Sequence, residues 1–185
     1  PFFDMDAVGE EQVTIETQGL TRYTDGSGVQ IMMVAQAPTI GGGQFTINYT
    51  NSDGVSGRVT QNQFCAAAQP SGALVNASGA AGGVTPFVDL QDGDKGVRSI
   101  QSVTFSVANG GLCAVVLVKP IQAHYILEES RRTTTGTLES FGSASEREAI
   151  RMHTPNEIKD GAFLSFISRG SAGSLASSQL VGTLE

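Results

Sequence analysis

The chain has 185 residues, a formal net charge of −7 and only 16% charged residues. This length fits one domain, in which roughly 70% of the unfolded chain's surface can be buried. The acidic balance argues against nucleic acid and anionic membranes as partners, because their phosphates would repel it. A weakly charged polar surface suits contacts with protein neighbours, and it equally suits a soluble domain that has no partner.

Targeting and redox signals point to a cytosolic origin. No stretch approaches the ~20 apolar residues of a membrane span, and the first residues lack the basic and apolar regions of a signal peptide. Cys65 and Cys113 lie among small or apolar residues, which favours two buried, reduced thiols over the alternative of a disulfide. Together with the scattered His124 and His153 they form no metal-ligand spacing. We therefore expect synthesis and folding in a cytosol.

The first half of the chain alternates short strand patterns with glycine-rich turns. Residues 13–17 and 45–50 alternate apolar with polar side chains, as in a sheet with one buried face. Residues 29–35 form an apolar strand, and residues 55–67 alternate more weakly, with Gly57 as a bulge candidate. Turns or loops are predicted at residues 24–28, 38–43 and 51–54 and, as a long exposed loop, at residues 70–83.

The clearest strand pattern follows in the middle of the chain. Val103, Phe105 and Val107 alternate with polar residues, which predicts one buried face. Asn109-Gly110-Gly111 then supplies the positive-φ residues of a hairpin turn. The nearly continuous apolar residues 112–118 predict a strand that is covered on both faces.

The segments on either side of this pattern show weaker strand patterns. Residues 84–90 predict an edge strand interrupted by Pro86, and residues 92–96 predict a turn. After Pro120, which cannot donate to a strand ladder, residues 121–127 alternate again.

The C-terminal part is less regular. Residues 129–142 predict an extended arm or long loop, within which Arg131 and Arg132 are candidate interaction residues. Ser143 and Glu146 have the spacing of a helix capping box, but a strand is an open alternative there. Two further strands are predicted at 162–168 and 175–184. Many short strands with regular turns predict an all-β chain, residues 1–185 forming a single antiparallel β-sandwich of the jelly-roll type.

Asp89, Asp92 and Asp94 are the candidates for a metal site. Carboxylates grouped around one turn could hold Ca²⁺ through their oxygens. The order DLQDGDKG, however, does not match the EF-hand loop, and aspartate and glycine are ordinary turn residues. We therefore predict a structural turn, with no metal and no cofactor.

The sequence also lacks recognisable catalytic groups. It carries no G-x-S-x-G, P-loop, G-x-G-x-x-G or H-E-x-x-H motif. His124 lies beside Tyr125, but neighbouring residues of a strand point to opposite faces and cannot form a dyad by themselves. We therefore predict a protein that is not an enzyme.

The second half of the chain resembles a known class of proteins. Its motifs are a Gly-x-Arg-Ser strand start at 96–99, the glycine-rich turn, a strand ending in Lys119-Pro120, and an Asp-Gly-Ala strand at 160–162. Over residues 88–185 these motifs resemble virion structural proteins of tailed bacteriophages. Because the motifs are structural, the resemblance implies a non-enzymatic β-sandwich of the particle, either a capsid decoration or cement protein or a tail component.

Several expectations about partners follow from this resemblance. The partners would be the major capsid protein or neighbouring virion proteins, and the chain would form a homo-oligomer, for which we expect a trimer. The arm at 129–142 could add to the sheet edge of a neighbour. The protein would be located in the virion after assembly in the host cytoplasm. An alternative is a tail-associated or receptor- or carbohydrate-binding module, which the absence of Trp and the presence of only three Tyr residues disfavour.

Overall fold

The computed structural model describes residues 1–14, 19–66, 69–77, 86–121, 129–132, 138–141 and 158–163. Within these ranges the chain contains strands and no helix, and the strands form two antiparallel sheets and a separate hairpin. The prediction of an all-β antiparallel fold is therefore confirmed. The jelly-roll connectivity and the single-domain boundaries stay predictions.

The strands are short, as the closely spaced turn signals indicated. In chain order they are β1 (Phe2–Asp4), β2 (Gln12–Val13), β3 (Gln30–Ala35), β4 (Gln44–Asn51), β5 (Arg58–Val59), β6 (Gln63–Cys65), β7 (Asn76–Ala77), β8 (Val97–Phe105), β9 (Leu112–Val118), β10 (Glu129–Arg132) and β11 (Leu138–Phe141).

Two sheets enclose the core. The first sheet has the order β1–β9–β3, and the second has the order β2–β8–β4–β6–β7, with β5 also paired to β4. Strands β10 and β11 pair with each other. Strands β3 and β4 alternate between buried and partly exposed residues along their whole length. The sequence pattern predicted this alternation for β4, whereas for β3 it predicted only an apolar strand. The apolar side chains that point inward from both sheets therefore form one buried cluster.

The centre of this core lies between β4 and β8. Phe45, Ile47 and Tyr49 of β4 are at most 1% exposed, and so is Phe105 of β8. The rings of Phe45 and Phe105 pack with their centroids 6.0 Å apart and their planes tilted by 47°. The burial predicted from the alternation in β4 is therefore confirmed.

The predicted hairpin around Asn109 is wrong. Strand β8 belongs to the second sheet and β9 to the first, so the connection crosses from one sheet to the other. Gly110 and Gly111 do adopt positive φ angles of 74° and 76°. The buried Asn109 side chain directs the crossing, because its Oδ1 accepts a hydrogen bond from Gly43 N and its Nδ2 donates to Val107 O.

Two predictions of burial next to this crossing are also wrong. Val107 is 46% exposed, since β8 ends at Phe105 and the alternation stops with it. Strand β9 is covered on one face only among the described residues, because Leu112 is 47% and Val116 39% exposed. A continuous apolar run does not reveal by itself how many faces of a strand are covered.

The structure also differs from the weaker strand predictions. Residues 86–90 form no strand, and Val88 N makes a single hydrogen bond to Ile31 O. The segment predicted as an arm contains the β10–β11 hairpin, in which Glu129 pairs with Phe141 and Arg132 pairs with Leu138. The strands predicted at 121–127 and 175–184, the segment around Ser143 and most of 162–168 lie outside the described residues.

Two segments hydrogen bond to both sheets. On one side, Ala73 O accepts from Ala35 N of the first sheet, and Val75 O accepts from Ala66 N, next to β6 of the second. On the other side, the N-terminal segment pairs with β9 through β1 and with β8 through β2. These two connections fix the sheets relative to each other.

The core assignment predicts a large loss of stability at one apolar residue and almost none at another that lies two positions further along the chain. Phe105→Ala should lower the free energy of unfolding by about 3–5 kcal/mol, because it leaves a cavity in the core. Val107→Ala is the matched control and should change it by less than about 0.5 kcal/mol. Denaturant unfolding measures both values. Equal losses in the two variants would contradict the observed end of β8.

Candidate functional site

Asp94 is the centre of a buried polar cluster beside β4. Its side chain is 4% exposed. Its carboxylate accepts hydrogen bonds from Tyr49 Oη at 2.5 Å, Asn51 Nδ2 at 2.8 Å and Arg58 Nε at 2.9 Å. The Tyr49 hydroxyl also accepts a hydrogen bond from Gln91 N at 2.9 Å. Asp94 therefore ties the turn before β8 to strands β4 and β5.

Local structure positions each member of this cluster. Tyr49 and Asn51 are two residues apart in β4, so both side chains point to the buried face. Arg58 of β5 pairs directly with Tyr49. The turn that presents Asp94 has Gly93 at a φ of 89°, a conformation that glycine adopts without strain.

The contacts within the cluster shift the pKa values of two of its members, Asp94 and Tyr49. Burial alone would raise the pKa of Asp94, but the hydrogen bonds from Arg58, Tyr49 and Asn51 outweigh it and lower that pKa to about 2. Burial, and then the hydrogen bond to Asp94, raises the pKa of Tyr49 to about 12. At neutral pH the cluster therefore holds an ionised carboxylate and a neutral phenol.

The structure separates the three aspartates that the sequence grouped. Asp94 is occupied by protein donors, whereas Asp89 and Asp92 line an open cleft of about 490 Å³. Asp89 Oδ2 lies 3.5 Å from Nε2 of the buried Gln63. In the described ranges, no group of three or more His, Cys, Asp or Glu residues is placed to hold a metal ion. The remaining lining of the cleft is mainly polar: Gln30, Gln61, Leu90, Gln91, Gly93 and Asp94.

The outer face of the first sheet is the second notable surface. One row crosses the sheet, because Phe2 pairs with Ala114, Ala114 with Val34, and Val34 with Leu74. Side chains that are paired in this way share a face. The surface, here called the apolar face, consists of Phe2, Met32, Val34, Leu74, Leu112, Ala114, Val116 and Val118.

The apolar face is open in the described part of the chain. Phe2 is 71%, Leu112 47% and Val116 39% exposed, and the other five members are partly exposed. Polar residues lie at its two ends, where Asp4 pairs with Leu112 and Gln30 pairs with Val118. Contiguous exposed apolar surface of this kind marks contact sites for proteins or ligands. This face is therefore the candidate contact surface.

The predicted interaction residues lie in the hairpin. Arg131 pairs with Glu139 and Arg132 with Leu138 across strands β10 and β11. The register therefore places an acidic residue of the same hairpin opposite Arg131. His124 and His153 lie outside the described residues.

The two cysteines are free and buried, as predicted. Burial raises the pKa of both thiols to about 12, and for Cys113 the nearby Cys65 adds to this effect. Because the thiolate is the reactive form, neither thiol is suited to nucleophilic chemistry.

The sequence prediction missed Tyr49, Asn51 and Arg58 as members of a polar cluster. Tyr49 gave a usable signal, because a tyrosine on the buried face of a strand needs a partner for its hydroxyl. The pattern did not identify that partner, since Asp94 is 45 residues away in the sequence.

Comparisons of the chain with protein-family models, curated proteins and solved structures found no match. Across the described ranges, no helix has the length and hydropathy needed to cross a membrane.

The lowered pKa of Asp94 predicts a specific loss of stability in acid. Asp94→Asn should lower the free energy of unfolding at pH 7 by about 2–3 kcal/mol, because it weakens charge-assisted hydrogen bonds. In the parent protein this contribution is fully present above the unfolded-state pKa of about 3.9 and is lost as the pH falls through about 2. The two proteins should therefore converge between pH 4 and pH 2 in denaturant unfolding. Asp92→Asn, in the same turn but exposed, is the control, and an equal loss in both variants would contradict the cluster.

The occupation of Asp94 by protein donors also predicts the response to a chelator. EDTA should leave the melting temperature unchanged, because a metal bound to the folded state alone would have stabilised it. Differential scanning calorimetry with and without added Ca²⁺ makes the measurement. A fall in EDTA that Ca²⁺ reverses would show a metal site at Asp89 and Asp92.

Proposed function

We propose that this chain is a non-enzymatic structural protein of a tailed-phage virion that decorates or cements the capsid through contacts between subunits. The apolar face is the observation that carries this proposal. Its eight apolar members form one continuous surface, and exposed apolar surface of this kind serves protein contacts. The sequence motifs that resemble phage virion proteins support a virion as the assembly in which this contact forms. The particle is accordingly the proposed location, with assembly in the host cytoplasm.

The electrostatics of the chain are compatible with this role. The net charge of −7 does not suit contact with the packaged genome. A position on the outer lattice, next to the major capsid protein, requires no such contact. The expected trimer stays a prediction of the sequence.

The β10–β11 hairpin supplies a second contact in this proposal. Among the described strands, β10 and β11 pair only with each other. An isolated two-stranded hairpin is marginally stable in water, so it gains from pairing with a further strand. In an assembled particle that strand would belong to a neighbouring subunit.

The open cleft favours a second candidate function. Gln30, Gln61, Asp89, Gln91 and Asp92 line it with carboxamide and carboxylate groups, which can hydrogen bond to sugar hydroxyls. A tail-associated or receptor-binding module for carbohydrate would use such a surface. No aromatic side chain lines the cleft, however, and sugar sites commonly include one.

Particle labelling distinguishes these functions. Mass spectrometry of purified virions should detect the chain, and gold-labelled antibodies against it should mark the capsid in electron micrographs. Label confined to the tail would favour the second candidate, and binding of the purified chain on a glycan array would support it further. Absence of the chain from intact virions would contradict the structural role altogether.

The hairpin contact can be tested by deletion. Removing residues 129–142 should leave the melting temperature within a few degrees of the parent, because the core strands lie outside this segment, and should weaken particle binding in cosedimentation. Arg131→Glu with Arg132→Glu should also weaken binding, more strongly at low salt, where charge pairs are least screened. Unfolding of the deletion variant, or unchanged binding, would contradict the bridging role.

A further inference from the structure

We infer that Arg22 and Tyr23 form a releasable latch, which fastens residues 158–163 to one end of the first sheet and lets them detach while both sheets stay folded. The inference goes beyond the proposed function, because it concerns a movement within one chain. It can be tested on the purified protein without particles.

The latch joins parts of the chain that are distant in the sequence. Arg22 Nε donates a hydrogen bond to Asp160 O at 2.8 Å, and Lys159 N donates one to Tyr23 Oη at 3.2 Å. Gly161 has a φ of 67°, and a Cβ atom added to it would lie 2.7 Å from Arg22 Nη2. The guanidinium group therefore packs against the backbone of the turn that follows Lys159.

Tyr23 connects this turn to the first sheet. Lys119 comes directly after β9, and its Nζ lies 5.7 Å from the centroid of the Tyr23 ring, which is within the range of a cation–π interaction. The same ammonium group donates a hydrogen bond to Ser27 O. The Tyr23 carbonyl accepts one from Gly26 N at 2.7 Å. The ring is therefore held from the side of the sheet, while the hydroxyl group receives the turn.

The described residues 158–163 bury none of their side chains. Ile158 is 51% and Phe163 93% exposed, and the four residues between them are exposed or partly exposed. A segment without buried apolar contacts opens with a free energy well below that of global unfolding. Residues 158–163 should therefore detach and rebind many times before the sheets unfold.

The backbone of Tyr23 also favours release. Its φ of 52° is the only positive value at a non-glycine residue in the described part of the chain. A bulky residue rarely adopts this conformation, which persists only where the surrounding contacts hold it. The hydrogen bond from Lys159 N is one of those contacts. Detachment therefore lets Tyr23 relax, and this relaxation partly offsets the loss of the hydrogen bonds.

Limited digestion with endoproteinase Lys-C tests the latch. The chain has three lysines, and the enzyme does not cut after Lys119 because Pro120 follows it. Cutting after Lys159 reports the detachment of residues 158–163. Cutting after Lys95 reports unfolding, because hydrogen bonds to the backbone on both sides of that bond hold it in place.

The parent chain should be cut in a fixed order. The bond after Lys159 should be cut well before the bond after Lys95, because local opening is more frequent than unfolding. It should still be cut at least about tenfold more slowly than the same bond in a peptide of residues 152–166, because only the detached form is cut.

Two substitutions should loosen the latch. Tyr23→Phe keeps the ring but removes the hydroxyl group that accepts from Lys159 N, and Arg22→Ala removes the hydrogen bond to Asp160 O. Each should raise the rate of cutting after Lys159 about fivefold, because the closed form loses one hydrogen bond. The rate of cutting after Lys95 and the melting temperature should stay unchanged.

Arg98→Ala is the matched control. Arg98 Nε donates to Asp25 O at 3.1 Å, so this variant also loses a hydrogen bond from an exposed arginine to a backbone carbonyl. That bond lies outside the latch. The rate of cutting after Lys159 should therefore stay at the parent value.

Three outcomes would overturn the inference. The first is a parent chain that is cut after Lys159 and Lys95 at the same rate, because residues 158–163 would then detach only when the chain unfolds. The second is a parent chain that is cut after Lys159 as fast as the peptide, because nothing would then fasten the segment. The third is a pair of variants, Tyr23→Phe and Arg22→Ala, that are cut at the parent's rate or that lose as much stability as Phe105→Ala.

Discussion

The arrangement of both sheets depends on one buried carboxamide. Asn109 is fully buried, and its side chain holds Gly43 N and Val107 O at the point where the chain crosses between the sheets. Its backbone completes the joint, because its N–H donates to Met5 O and its carbonyl accepts from Ile40 N. Three segments that are distant in sequence thus meet at one residue. The crossing at Asn109 places β9 in the first sheet. Strand β9 is the central strand of that sheet, so the apolar face forms around it.

The strands themselves could be predicted to a useful degree, but their partners could not. Side-chain patterns are a local property, so β4 and β8 followed from the alternation of side chains and β3 from its apolar run. Pairing is not local. Asn109-Gly110-Gly111 satisfies the backbone of a hairpin and equally that of a crossing between sheets, because both require positive φ. In this protein the crossing is held by the hydrogen bond from Gly43 N to the Asn109 side chain. Gly43 is 66 positions away in the sequence, so the local pattern led to the wrong prediction of a hairpin.

The two candidate surfaces show the same limit. The aspartates near Asp94 were visible in the sequence as one group, yet their roles depend on residues from β4 and β5 that are 36 to 45 positions away. The apolar run in β9 was visible as well, but the sequence does not indicate that one face of this strand is exposed. The positions of acidic groups and apolar runs were thus visible in the sequence, whereas the exposure of Val107 and of the second face of β9, and the division of the aspartates between a buried cluster and an open cleft, required the fold.

The pairing of β1 with β9 has a consequence during synthesis. Phe2 to Asp4 are synthesised more than a hundred positions before their partners at Leu112 to Ala114. At 5–20 residues per second this delay lasts about 5–20 s. Throughout that interval the first strand is complete and unpaired. On a polysome, the β9 edge of a chain that is further advanced is as good a partner as its own. Exchange of β1 between nascent chains is therefore a misassembly that this topology permits.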